Sequence, residues 1–257
     1  MRIEKTGGKE RQKTQREIAN EQYELQRQRE LGSIKKGKLS KEELTARNVE
    51  LTPKQHELYK GIRNNTLTVC QGPAGTSKTF TACYTSLALL ADKKIDQIIL
   101  TKPIQESGEN LGFLPGTVEE KVDPYMKSYF SNFEKIIGKA TFEWLKGTGQ
   151  IIVEPLAYMR GTTYDRSIML LDEAQNCTMT QLMLWVTRLG SESKAILMGD
   201  VSQYDIKKRD SKFLEFIQII EGVDQVNNFR FGVEDIVRNK FLIEIVNKYE
   251  KWKYDNE

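Results

Sequence analysis

The stretch Gly72-Pro73-Ala74-Gly75-Thr76-Ser77-Lys78-Thr79 restricts the folds open to this 257-residue chain more than any other. It follows an apolar, β-prone run, Thr66-Leu67-Thr68-Val69-Cys70, and precedes a helix-compatible run over 80–91. A Gly-x-x-x-x-Gly-Lys-[Ser/Thr] pattern carries physical meaning when it sits between a strand and a helix. There, loop N–H groups and the exposed helix N-terminus converge on phosphate oxygens. Gly72, Ala74, Gly75, Thr76, Ser77, Lys78 and Thr79 are therefore the nucleotide-binding candidates. Lys78 would set its ammonium against the β- and γ-phosphates, and the Thr79 hydroxyl would ligate Mg²⁺. Ser77 stands where the pattern has glycine. Glycine tolerates strained dihedrals there and lets the backbone approach a phosphate without a Cβ. Serine is expected to cost affinity or rate.

The second informative run is Ile168-Met169-Leu170-Leu171-Asp172-Glu173-Ala174-Gln175. Four apolar residues ending in Asp-Glu describe a buried parallel strand that delivers two carboxylates to its carboxyl end. Asp172 would hold Mg²⁺ through water, and Glu173 would polarise the attacking water as general base. The competing reading, an acidic first turn of a helix, loses force about 93 residues after a phosphate-binding loop. Further strands are expected over 97–101, 151–153 and 194–198. The first ends at Lys102-Pro103, and a strand's carboxyl end is where ligands bind in open α/β sheets. The last runs into Gly199-Asp200-Val201-Ser202-Gln203, making Gln203 the candidate to touch a γ-phosphate; a plain Gly-Asp turn is the alternative.

Helices are expected over 53–62, 118–137 with an interruption at Pro124, 180–189, 213–220 and 233–252. The first is opened by Thr52 as cap and Pro53 in the first turn. Gln55, about 17 residues before the loop, can both donate to and accept from an adenine edge. In the last, apolar residues at 236, 237, 241, 242, 245 and 246 make a helical face, and Arg238 falls between them.

Charge divides the chain. Residues 1–51 hold 13 Lys/Arg and 9 Asp/Glu, a net +4, and the remaining 26 and 27 give −1. Residues 1–50 read as a charged arm, helical or flexible, and 51–257 as the nucleotide-binding domain. The arm is open to three readings: a solvated or frayed helix, an RNA contact, or a strap onto a neighbouring subunit. No apolar run approaches a membrane span, and the N-terminus Met1-Arg2-Ile3-Glu4-Lys5 lacks an apolar signal core. Cys70 and Cys83 lie in apolar runs and read as small core residues of a reducing cytoplasm. With one histidine, His56, no His-based metal site or catalytic dyad is expected.

Taken together, the motifs resemble those of PhoH-like P-loop ATPases, relatives of superfamily 1 helicases. The matching pieces are Gly72–Thr79, Leu111-Gly-Phe-Leu-Pro-Gly116, Glu119-Glu-Lys-Val-Asp-Pro124, Pro155-Leu-Ala-Tyr-Met-Arg-Gly161, Leu171-Asp-Glu-Ala-Gln-Asn176, Thr187-Arg-Leu-Gly190, Gly199-Asp200 with Gln203, and Asp235-Ile-Val-Arg238. They keep the family's order over roughly residues 52–250. The resemblance implies a RecA-like core, a mostly parallel sheet flanked by helices, that binds ATP and Mg²⁺ and acts in RNA metabolism. Asn239 departs from the histidine that usually follows the arginine, and Ser77 from the glycine. Guanine is not the expected base, because Thr101-Lys102-Pro103-Ile104 lacks an aspartate to read it. One such core cannot form a cleft between two cores, so a homo-oligomer such as a ring is expected. A neighbour would then supply the charge-stabilising arginine: Arg160, Arg188 or, foremost, Arg238.

Overall fold

The computed structural model describes residues 39, 41, 44, 49–103, 118–201, 211–237, 241, 243–245, 248–249 and 251–252, with the side chains of 118–121 excepted. All belong to the unit Lys36–Glu257. Among the described residues the elements with full bounds follow in order: α1 Pro53–Asn64, β1 Leu67–Gln71, α2 Lys78–Ala91, β2 Gln97–Thr101, α3 Val118–Ile137, α4 Lys139–Gly147, β3 Ile151–Val153, β4 Ser167–Leu171, α5 Met179–Val186, β5 Lys194–Gly199, α6 Phe213–Ile219 and β6 Val226–Arg230.

The strands form one sheet in the order β3-β2-β4-β5-β1-β6, and every pairing is parallel. Register puts Gln71 opposite Gly199, and Leu171 opposite both Leu197 and Thr101. The carboxyl ends of β1, β2, β4 and β5 therefore reach one edge at the same level. This is the RecA-like core implied by the resemblance.

Strand β4 shows why that edge is firm. Ile168 and Leu170 join one core layer, with Leu87, Phe133 and Phe142. Met169 and Leu171 join the other, with Leu182, Trp185, Phe213 and Phe216. A continuous apolar strand is thus buried on both faces, as parallel sheets require. Each such side chain contributes about 1.5–3 kcal/mol on burial. Helix α2 is enclosed almost all round, and its polar Thr85 and Ser86 satisfy their hydroxyls on Thr81 O and Ala82 O, each at 2.7 Å.

Three departures from the sequence reading have physical reasons. Helix α3 runs unbroken through Pro124. Val122, Met126, Tyr129, Phe133 and Ile136 are all buried along one face, which offsets the single hydrogen bond that proline removes. The segment expected to be helical from 233 begins as a 3₁₀ turn, Val233–Asp235, with Ile236 extended; helix is seen at 241, 243–245, 248–249 and 251–252. Asp235 accepts from the Gly232 N–H at 2.8 Å, closing a local turn instead of a helical ladder. Strand β6, with its polar Asn227 and Asn228, carries no strand signal in the sequence; it is an edge strand of half-buried and exposed residues, where apolar alternation is not demanded.

Residues 1–38, most of the charged arm, lie outside the described residues. Leu39 and Leu44 are buried in the same core layer as Leu58 and Ile62. Cys70, Cys83 and Cys177 are free and buried. Burial pushes the thiols of Cys70 and Cys177 up to about 12, so they serve as packing groups. Among the described residues no helix is long and apolar enough to cross a membrane.

Candidate nucleotide-binding site

The glycine-rich loop leaves β1 and turns into α2. Gly72 has φ +153°, and a Cβ there would lie 2.7 Å from the Phe231 Cβ, so the first position of the loop admits no side chain. Thr76 is buried and donates to Pro73 O at 2.9 Å, bracing the loop from within. Ser77 caps α2 in the left-handed region, φ 65°, ψ 32°, with no cap bond from its side chain. A non-glycine residue there costs about 1–2 kcal/mol. Ser77→Gly is therefore expected to stabilise the fold by about 1 kcal/mol and to raise nucleotide affinity or turnover, read by thermal melting and nucleotide titration. Lower activity in that variant would show that the serine itself serves the ligand.

Lys78 donates to Gly72 O at 2.6 Å and Pro73 O at 3.0 Å, folding its ammonium across the mouth of the loop. The Thr79 hydroxyl donates to Asp172 Oδ2 at 3.0 Å. Residues 93 apart in sequence thus meet at one point, because β1 and β4 end on the same sheet edge. Asp172 is buried, and its Oδ1 accepts from the Glu173 N–H at 3.1 Å.

Glu173 is itself left-handed, φ 59°, ψ 38°. Such strain persists where the surroundings over-determine it, and here Gln175 does so. Its Nε2 donates to Glu173 Oε2 at 2.7 Å, and its Oε1 accepts from the Asp200 N–H at 3.0 Å. Burial, then the adjacent Asp172 charge, raise the Glu173 carboxyl above the usual range; the Gln175 bond and the Lys102 and Lys78 ammonium groups pull it back in part. Gln175→Ala is expected to lower kcat by about 10-fold or more at unchanged nucleotide KM, with partial rescue by Gln175→Asn. A shift in KM alone would remove Gln175 from the support of Glu173.

These groups border a cleft of about 290 Å³. Its floor is Ala74, Gly75, Ser77, Lys78, Thr79, Asp172, Glu173, Gly199 and Asp200. Its second wall is Ser128, Ser131, Asn132 and Lys135 of α3. That wall was missed in the sequence, although 128, 131, 132 and 135 follow helical spacing opposite the buried face. A polar stripe of this kind marks nearly every surface helix and does not announce a ligand. Gln175 and Lys102 were also missed as site residues.

The other sequence candidates are placed as follows. Gln55 is buried in a capping box: its N–H donates to Thr52 Oγ1 at 3.3 Å, and its Oε1 accepts from Thr52 N–H at 3.1 Å. It does not line the cleft. Arg160 is exposed, and Arg188 donates to Thr162 O at 3.3 Å; neither lines the cleft. Gln203 and Arg238 lie outside the described residues. The Val237 N–H, however, donates to Gly75 O at 3.1 Å, tying the residue before Arg238 to the loop of its own chain.

Mg²⁺ prefers hard oxygen donors and keeps several waters, taking one or two carboxylates together with phosphates. The Thr79 hydroxyl beside the buried Asp172 carboxylate fits that demand. Among the described residues no cluster of three or more His, Cys, Asp or Glu forms an all-protein metal cage.

An all-parallel sheet with a glycine-rich loop after β1 and paired carboxylates after β4, one strand apart, defines a P-loop nucleotide-binding protein. The chain belongs to the PhoH-like protein family, whose model matches residues 49–250. It is 40% identical over 198 residues to a PhoH-like protein of Bacillus subtilis (strain 168), covering 77% of this chain and 62% of that one. Against Protein PhoH of Escherichia coli (strain K12) the identity is 32% over 198 residues, covering 76% and 56%. The chain thus spans about three fifths of the length of these curated relatives. Among solved structures, a large terminase from a thermophilic bacteriophage aligns with TM-score 0.48 and 12% identity, over 78% of this chain and 50% of that one.

Proposed function

We propose that the chain binds ATP with Mg²⁺, hydrolyses it, and couples hydrolysis to the binding or remodelling of a nucleic acid, RNA foremost. The 3.0 Å bond from Thr79 to Asp172 carries the reading, because it brings the phosphate-binding loop and the carboxylate strand together at one point. Thr79 and Asp172 would hold a Mg²⁺ ion there, whose charge would offset that of the phosphates. Lys78 exchanges the carbonyls of Gly72 and Pro73 for phosphate oxygens, so its partners are already oxygen acceptors in the right place. Glu173 accepts a proton from the attacking water, aimed by Gln175. A carboxyl that burial and the Asp172 charge raise above its usual range holds that proton better.

The nucleic-acid half rests on the +4 excess over residues 1–51, which suits a phosphate backbone, and on the role in RNA metabolism that the family resemblance implies. Self-association is part of the proposal because, among the described residues, no arginine lines the cleft. A second reading is supported by the left-handed Ser77: a nucleotide-gated RNA-binding module with negligible turnover. Phosphate release, measured with and without single-stranded RNA on protein of known oligomeric state, decides. RNA-stimulated turnover supports the ATPase. Tight ATP binding with no release, even in single turnover, supports the gated module, and no ATP binding sinks both.

A further inference from the structure

We infer that Lys102 is a built-in stand-in for the divalent cation, which makes the site favour a metal–nucleotide complex over free metal. The inference rests on the metal position proposed above. Lys102 Nζ lies 3.5 Å from Asp172 Oδ2, the oxygen that also accepts from Thr79, and 3.9 Å from Glu173 Oε1. The ammonium is held there by the fold. Lys102 directly follows β2, which pairs with β4, and the Asp172 N–H donates to Thr101 O at 3.2 Å. Its side chain is 11% exposed, and the Tyr129 ring lies 5.8 Å beneath the charge. Tyr129 is fully buried and donates to Thr101 O at 3.4 Å, which fixes the ring.

Two neighbouring carboxylates, one of them buried, need a counter-charge. Among the described residues lining the cleft, Lys78 is engaged by the loop carbonyls and Lys135 stands on the α3 wall, whereas Lys102 pairs with both carboxylates. With no divalent ion bound, the balancing charge therefore falls to Lys102. A dication approaching Asp172 comes within a few ångströms of that ammonium and must displace it or bear the repulsion. A polyphosphate arriving with the metal cancels most of this penalty, because its own negative charge lies over Lys78. Free metal is refused and the metal–nucleotide pair admitted.

The test is Mn²⁺ titration of the full chain, followed by the paramagnetic signal of free Mn²⁺. Parent, Lys102→Met, Lys102→Gln and Asp172→Asn are compared, each with and without ADP. Lys102→Met is expected to bind Mn²⁺ alone about tenfold tighter or more, to change less toward Mn²⁺ with ADP, and to melt at a lower temperature until Mn²⁺ is added. Lys102→Gln, which keeps length and polarity without charge, is expected to behave alike and carries the test if the methionine variant does not fold. Equal Mn²⁺ affinity in parent and Lys102 variants, lost in Asp172→Asn, would overturn the stand-in while leaving the metal position intact. No Asp172-dependent Mn²⁺ binding in any variant, even with ADP, would overturn both.

Discussion

Glu173→Gln is expected to bind ATP as tightly as the parent and to hydrolyse it about 10²–10⁴-fold more slowly. Lys78→Ala, by contrast, is expected to lose tight binding altogether. On the proposed roles, Lys78 would meet phosphates in the ground state, whereas Glu173 would act on the water only as the bond breaks. The pH profile separates these roles further. A base works only when ionised, and burial with the Asp172 charge raises the Glu173 carboxyl above its ordinary value. The acid limb of kcat should therefore lie above the usual carboxylate range in the parent and vanish in Glu173→Gln. Stability carries the same sign: an acid whose folded-state pKa is raised binds its proton more tightly when folded, so its ionisation costs stability as pH rises through that window. Glu173→Gln should thus melt higher than the parent at neutral pH and equal to it below the unfolded value. Unchanged turnover in this variant would remove Glu173 as the base.

Arg238→Ala is expected to reduce turnover by about 10³-fold or more, the scale of a charge-stabilising arginine at a γ-phosphate. Among the described residues, the cations lining the cleft are Lys78 and Lys135, so no arginine there fills that role. On sequence alone the group falls to a neighbouring subunit. The bond from the Val237 N–H to Gly75 O, at 3.1 Å, favours the same chain instead. A mixing experiment settles the matter. If Arg238 serves its own chain, combining Arg238→Ala with Glu173→Gln chains restores nothing, because neither chain holds a complete site. Activity recovered in the mixture, and turnover rising with protein concentration, would return Arg238 to the neighbour. Arg160, exposed and outside the cleft, is then the control, since its loss should not change turnover in the mixture.

What each contact needs decides how visible it is in sequence. Lys78, Thr79 and Asp172 were legible because local pattern fixes them: a glycine-rich loop between strand and helix, and a carboxylate after four apolar residues. The cores of β4 and β5 were legible for the same reason, since burial on both faces leaves no room for polar residues. Strand β6 was not, because an edge strand carries weak patterning. Helix α3 was expected to break at Pro124, since local propensity is visible in sequence and the burial of Met126, Tyr129 and Phe133 is not. Lys102, Gln175 and the α3 wall depend on which strands and helices are neighbours, a property of topology. The Val237 tether is of the same kind.

The pair of hydrogen bonds through Gln175 has a consequence for timing. The Asp200 N–H, at the end of β5, is joined to the Glu173 carboxylate by contacts of 3.0 and 2.7 Å with one rigid amide between them. A displacement of about 1 Å at a reacting group can cost about 10²-fold in rate. On the proposed role of Glu173, whatever shifts the backbone at Asp200 would therefore retune that carboxylate through Gln175. On the proposed function the clock of the cycle would be geared to a strand end, and a partner gripping the chain there would set its pace as a hand on the escapement sets a watch.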